Sequence, residues 1–243
     1  MDISLHALGD SAVKIEFAGD VSPEMNREIQ IFSEKIKNAS VPGIVEWVPA
    51  FNSVTVYYNP IRLRYKEIEE RLQQLHQEDG NLIQSGRRII SVPVLYGNGY
   101  GPDLERVADQ SGFSVDEVIK VHSDGQYLVY MLGFLPGFPY LSGMDKRIAT
   151  PRLEEPRPKI ESGAVGIAYE QTGIYPIESP GGWNIIGKTP LKLFDQQKDD
   201  AFLFQAGDKV VFYPVDEKEF KRIEAEVAAG EFQVEVTEDG ETD

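Results

Sequence analysis

The sequence predicts an α+β protein in two parts. A ferredoxin-like α/β sandwich occupies residues 1–84, and a small closed β-barrel follows over residues 85–233, with an acidic tail at 234–243. Three observations carry this reading. The first 84 residues run through apolar periodicities in the order strand, strand, helix, strand, strand, helix. Two breaks then interrupt the pattern, Glu78-Asp79-Gly80-Asn81 and Gln84-Ser85-Gly86. From residue 127 to residue 214, short strand-like runs alternate with Gly/Pro turns, the sequence habit of a small barrel.

Ile3, Leu5 and Ala7 alternate with polar residues, Gly9-Asp10 turns the chain, and Val13, Ile15 and Phe17 alternate again, which reads as a hairpin. Ser22-Pro23 starts a helix with proline at its first position. Met25, Ile29, Phe32 and Ile36 then share one face, and Val41-Pro42-Gly43 ends the helix. Strands follow near 44–48 and 54–58. A second helix carries Tyr65, Ile68, Leu72 and Leu75 on one side. Beyond the breaks come an apolar strand at 89–95, a glycine-rich turn at 96–101 and short helices at 103–110 and 115–121. After the barrel, a helix at 216–229 is stopped by Gly230.

Composition narrows the function classes. The chain has 243 residues, 41% of them hydrophobic, enough to bury a core. No apolar run approaches the roughly 20 residues that span a bilayer. The N-terminus, MDISLHALGD, lacks the basic and apolar regions of a secretory signal. The absence of cysteine excludes disulfides, thiolate catalysis and cysteine zinc sites, and fits a reducing cytoplasm. Only three histidines occur, with no pair at metal-binding spacing, so no metal site is expected. The net charge of −16 repels nucleic acid and anionic membranes. From residue 216 onward there are 11 acids and 3 bases, and the final VTEDGETD reads as a solvated tail.

Chemistry concentrates in two segments, GFLPGFPYLSGM (133–144) and QTGIYPIESPGGWNIIGKTP (171–190). Pro136, Pro139, Pro151, Pro156, Pro158, Pro176, Pro180 and Pro190 are eight of the chain's 15 prolines. Proline fixes φ and glycine opens conformations closed to other residues, so such loops can be rigid without regular hydrogen bonding. With Phe134, Phe138, Tyr140, Tyr175 and Trp183 they suggest a preformed aromatic groove. The alternative is core packing at barrel corners. Residues 182–189 match the phosphate-loop pattern G-x-x-x-x-G-K-[ST], but the four intervening residues read as a strand and no helix follows, so the match is accidental. Gly97-x-Gly99-x-Gly101 reads as a tight turn. His122 ends a short helix just before the barrel, where it faces a pocket as an acid or base or else caps the helix. Arg147, Arg152, Arg157 and Lys159 form a basic run that either binds an anion or pairs with Glu154, Glu155 and Glu161.

Taken in order, His122, Gly133-Phe134-x-Pro136-Gly137-Phe138-Pro139-Tyr140-Leu141, Pro151-Arg152, Pro156-Arg157, Gln171-Thr172-Gly173-Ile174-Tyr175-Pro176, Ser179-Pro180-Gly181-Gly182-Trp183 and Gly187-x-Thr189-Pro190 resemble the allophanate hydrolase subunit 1 family. That family is also described as the carboxyltransferase domain, subdomain C and D group. The resemblance implies a cyclophilin-like form for the C-terminal barrel. It implies one subunit of an ATP-dependent 5-oxoprolinase that acts with 5-oxoprolinase subunits C and A to open 5-oxoproline to glutamate, inactive alone and sharing its ATP site with its partners. It also implies binding to a sporulation sensor histidine kinase, whose autophosphorylation it would block. The alternative is a purely regulatory kinase-binding protein without catalysis. Activating a lactam requires cations and an acid/base. On this reading Arg152, Arg157 and Lys188 hold phosphate and carboxylate, and His122 or Glu178 moves protons. Gln171, Thr172 and Ser179 position the ring. Phe134, Pro136, Phe138, Tyr140, Tyr175 and Trp183 line the partner groove.

Overall fold

Alternation of apolar and polar residues produces a hairpin at once: β1 (Ile3–Leu8) and β2 (Ala12–Phe17) pair antiparallel with Leu5 opposite Ile15. The computed structural model describes residues 1–78, 88–198 and 200–238, and divides into two units, Met1–Ser85 and Gly86–Asp243. The boundary expected at 84/85 lies outside the described residues.

The first unit continues with α1 (Pro23–Ala39), β3 (Ile44–Pro49), β4 (Ser53–Tyr58) and α2 (Tyr65–Gln77). Ser22 caps α1 by accepting the Met25 amide on its hydroxyl at 3.2 Å. Ser40, in the left-handed region, closes it. The strands pair antiparallel in the order β1-β2-β4-β3. Thus β2 and β3 run parallel with β4 between them, a split crossover through α1. This is the ferredoxin-like sandwich that the element order predicts. Met25, Ile29, Phe32 and Ile36 of α1 meet Val13, Ile15, Phe17, Val54 and Val56 of the sheet, and Ile68, Leu72 and Leu75 of α2 complete the core.

The second unit begins with β5 (Arg88–Tyr96), α3 (Leu104–Ser111) and α4 (Val115–Ser123). Nine shorter strands and a last helix follow: β6 (Gln126–Leu132), β7 (Pro139–Ser142), β8 (Arg157–Ile160), β9 (Ala164–Ala168), β10 (Gln171–Ile174), β11 (Ser179–Gly181), β12 (Asn184–Lys188), β13 (Lys209–Pro214), α5 (Glu217–Ala229) and β14 (Val236–Glu238). The order β12-β9-β10-β7-β6-β13-β5 closes through β5–β12 into a seven-stranded barrel. β8 and β11 form a separate ribbon. Closure removes the open edges that a flat sheet would expose. The interior is filled by Ile90, Val92, Val94, Val129, Leu141, Val165, Ile167, Val210 and their neighbours.

The expected free tail at 234–243 is corrected in part. Val236–Glu238 forms β14, antiparallel to the start of β5, with Val236 opposite Ile90. The reason lies in β5. It is nine residues long, yet β12 covers only Leu95 and Tyr96 on that side, leaving the backbone near Arg88 to be paired by another strand. Residues 239–243 lie outside the described residues. No described helix is long and apolar enough to cross a membrane.

Phe32 sits edge-on to Phe17, with ring centroids 5.8 Å apart, at the centre of the first unit's core. Phe32→Ala should therefore cost about 3–5 kcal/mol. Urea unfolding followed through Trp47, which packs against this core, checks it. A loss below about 1 kcal/mol would show that the core does not depend on this ring.

Candidate functional site

His122 lies inside the barrel and not at a pocket. It is completely buried on α4, with its ring stacked on Phe212 at 4.6 Å. Both ring nitrogens are occupied: Nδ1 is 2.7 Å from the Tyr96 hydroxyl and Nε2 is 2.9 Å from the Thr172 hydroxyl. Thr172 donates its proton to the Gly166 carbonyl at 3.0 Å, so it accepts from Nε2–H, and Tyr96 donates to Nδ1. The run Tyr96 → His122 → Thr172 → Gly166 is complete with a neutral imidazole. Burial pushes the imidazole down to about 3. The Tyr127 hydroxyl, 2.7 Å from the His122 carbonyl, fixes the helix end as well. Neither a catalytic role for His122 nor a ring-positioning role for Thr172 fits this placement, because both side chains are spent inside the core.

The aromatic groove is also corrected. Phe138, Tyr175 and Trp183 are buried together with Ile160, Ala168 and Ile185 as a second small core in the barrel unit. Phe138 meets Tyr175 and Trp183 edge-on at 5.3 and 5.5 Å. Their large apolar surfaces gain more from mutual burial than from exposure in a groove. Burial pushes the Tyr175 phenol up to about 12. Tyr140 is half-buried against this cluster, while Phe134 and Pro136 are exposed at the β6–β7 tip. Phe134 has φ +66° and is 68% exposed.

The cationic residues, in contrast, meet at a surface cleft of about 300 Å³. Its walls come from the turn after β5 (Gly99, Tyr100, Pro102), from β8 and the residues after it (Arg157, Lys159, Ile160, Glu161), and from the barrel (Ala164, Ile185, Lys188). Asp103 organises it. Asp103 begins α3 yet does not cap it, because its buried carboxylate is turned away. It holds Arg157 in a two-pronged pair at 2.7 and 2.8 Å and accepts the Ile185 amide at 2.7 Å. Gly101 makes this approach possible: a Cβ there would lie 2.1 Å from the Ile186 carbonyl oxygen. Lys188 bonds Glu161 at 2.6 Å and lies 5.8 Å from the Tyr100 ring centre. The Lys188 ammonium holds the Glu161 carboxyl below the usual carboxylate range.

The remaining expected residues scatter. Glu178 is exposed and paired with Lys159 at 2.7 Å, a surface ion pair of the usual weak kind. Arg152 is exposed, 5.9 Å from the Trp183 ring centre. Gln171 is half-buried at the start of β10. The Ser179 hydroxyl is buried with no hydrogen-bond partner among the described residues. Thus Arg157 and Lys188 are brought together, and His122, Glu178 and the polar set are not. Sequence reasoning missed Asp103 and Tyr100. The available signal was Gly101-Pro102-Asp103, a tight turn feeding a helix, which reads as an ordinary cap. The segment resembling a phosphate loop is strand β12, paired to β9 and β5, with no helix after it.

A ferredoxin-like sandwich joined to a seven-stranded barrel bearing this cleft is a carboxyltransferase-type architecture. Residues 3–204 match the family described as "Carboxyltransferase domain, subdomain C and D", and the chain belongs to it. It is similar to the B subunit of 5-oxoprolinase from Bacillus subtilis (strain 168), 44% identical over 230 residues that cover 89% of this chain and 94% of that protein. The B subunit of 5-oxoprolinase from Escherichia coli O157:H7 is 39% identical over 213 residues, covering 87% and 96%. Among solved structures, TTHA0988 superposes with a TM-score of 0.75 at 36% identity, over 84% of this chain and 40% of that one. The urea carboxylase of Kluyveromyces lactis superposes with a TM-score of 0.79 at 21% identity, over 98% and 24%, and shows the fold alone. The chain therefore spans less than half the length of these two solved chains.

The buried imidazole makes stability depend on pH. The folded value of about 3 lies below the ordinary 6.5, so between these values the unfolded chain binds a proton that the folded chain refuses. Stability is full above about pH 6.5 and falls as the pH drops toward 3, by up to roughly 1.4 kcal/mol per pH unit from this group. Urea unfolding between pH 7 and 4 should show a shallower slope for His122→Gln than for the native chain. Equal slopes would contradict the assignment.

Proposed function

We propose that this chain is the B subunit of a multi-subunit 5-oxoprolinase, acting with C and A subunits to convert 5-oxo-L-proline to L-glutamate at the expense of ATP. One observation carries the reading: 44% identity to the B subunit of a 5-oxoprolinase over 94% of that protein's length. A match of that extent leaves little of the relative unaccounted for. The cleft supports it, since a lactam carboxylate needs a fixed cation and an apolar wall for its ring.

The reading divides the chemistry. A lactam is resonance-stabilised, so water opens it at neutral pH only after the carbonyl is activated. The segment at 182–189 and Arg157 are not arranged to hold a nucleoside triphosphate. The backbone of Asn184–Lys188 is committed to strand pairing, and Arg157 is committed to Asp103. No step through ATP is therefore assigned to this chain. The acid/base is likewise assigned elsewhere: His122 is sealed in the core, and Glu178 is exposed and paired with Lys159, outside the cleft's lining. The chain's part is to bind and orient, and the partner subunits supply the nucleotide site and the proton transfers.

The test is 5-oxo-L-proline hydrolysis with ATP present, by the purified chain alone and mixed with C and A subunits. The expected result is glutamate formation in the complete mixture at least about 100-fold faster than from the chain alone. Comparable activity from the isolated chain would refute the division of labour, and no activity in the mixture would refute the reading itself.

A further inference from the structure

The cleft is built around a lysine whose ionic partner is the more exposed member of the pair. The Lys188 side chain is 20% exposed, while that of Glu161 is 64% exposed. Lys188 is fixed from its backbone outward. β12 sets it in register with Ala164 on one side and Leu95 on the other, and the Tyr100 ring lies under its ammonium. Glu161 follows the end of β8, and its described side-chain hydrogen bond is to Lys188 alone. An exposed glutamate loses rotamer entropy by staying in one place, so its side of the pair contributes little. A lysine withdrawn this far from water cannot be left without an anion at so small a cost. The site thus keeps its cation and can exchange its carboxylate.

Beside Lys188, the buried residues Ile160, Ala164 and Ile185 form an apolar wall, and the other lining lysine, Lys159, is paired with Glu178. We propose that this cleft is a binding site for a small carboxylate carrying a compact apolar ring or chain, and that the ligand's carboxylate takes the place of Glu161 on Lys188. Glu161 marks the position of the ligand's charged group. A phosphate dianion fits less well, because the group replaced is singly charged and Arg157 is already committed to Asp103. The inference rests on the functional reading above for its ligand class, and requires no catalysis by this chain.

The test is a titration of the ¹⁵N-labelled full chain with 5-oxo-L-proline and with 2-pyrrolidinone, the same ring without the carboxylate. The expected result is amide shifts centred on Tyr100, Ala164 and Lys188, with 5-oxo-L-proline bound at least about 10-fold more tightly than the lactam. Glu161→Gln removes the competing charge from an exposed position and should tighten binding about 3- to 10-fold. Lys188→Met should weaken it by about 10-fold or more. Equal affinity for the two lactams would overturn the proposal. So would unchanged or weaker binding by Glu161→Gln, which remains a fair test even where Lys188→Met fails to fold. Inorganic phosphate that moves these amides while 5-oxo-L-proline leaves them in place would overturn it as well. Because the isolated chain is titrated, the outcome is separate from whether the subunit mixture hydrolyses 5-oxoproline.

Discussion

The barrel depends on one neutral imidazole. A polar ring buried away from water is tolerated only when every donor and acceptor is matched. His122 meets that condition through Tyr96 on β5 and Thr172 on β10, and Thr172 passes the chain on to Gly166 of β9. The ring also stacks on Phe212 of β13, and its backbone carbonyl takes the Tyr127 hydroxyl of β6. A single helix end is thereby tied to five strands. A hydrophobic residue there would fill space but would leave the Tyr96 and Thr172 hydroxyls to find other partners, so the histidine specifies the arrangement as well as packing it.

A second buried polar group plays the same part for the surface. Asp103 has a carboxylate with two oxygens to satisfy, and it uses them on Arg157 and on the Ile185 amide. This joins the turn that leads into α3, the start of β8 and strand β12, each of which contributes to the walls of the cleft. It also commits the charge of Arg157, which still lines the cleft, and leaves Lys188 as the cation held by a more exposed partner. A binding role thus follows from which charges are already committed, more than from how many there are.

The ferredoxin-like unit was largely legible because its elements are amphipathic. The α1 stripe of Met25, Ile29, Phe32 and Ile36 and the alternation of Val13, Ile15 and Phe17 each point to one core. The barrel was legible as a class from its short runs and Gly/Pro turns, although β14 was hidden in acidic sequence that reads as a tail. The site was read less well, for a physical reason. Aromatic residues between glycines and prolines look the same in sequence whether they line a groove or fill a corner, and here Phe138, Tyr175 and Trp183 fill a corner. A histidine at a helix end gives no sign of which way it points. Arg157 and Lys188 were identified as cations from composition alone, but their carboxylate partners come from positions 54 and 27 residues away. Only the fold could pair them.

The claim most central to this account is that His122 is a neutral, fully bonded part of the core. Long-range ¹H–¹⁵N correlation spectra of the histidine-labelled chain test it directly. The account predicts that the His122 ring keeps its proton on Nε2 and stays neutral from pH 7 down to about pH 5. A ring that gains charge near its ordinary value of 6.5, or carries its proton on Nδ1, would contradict it and return His122 to the set of groups able to move protons during catalysis.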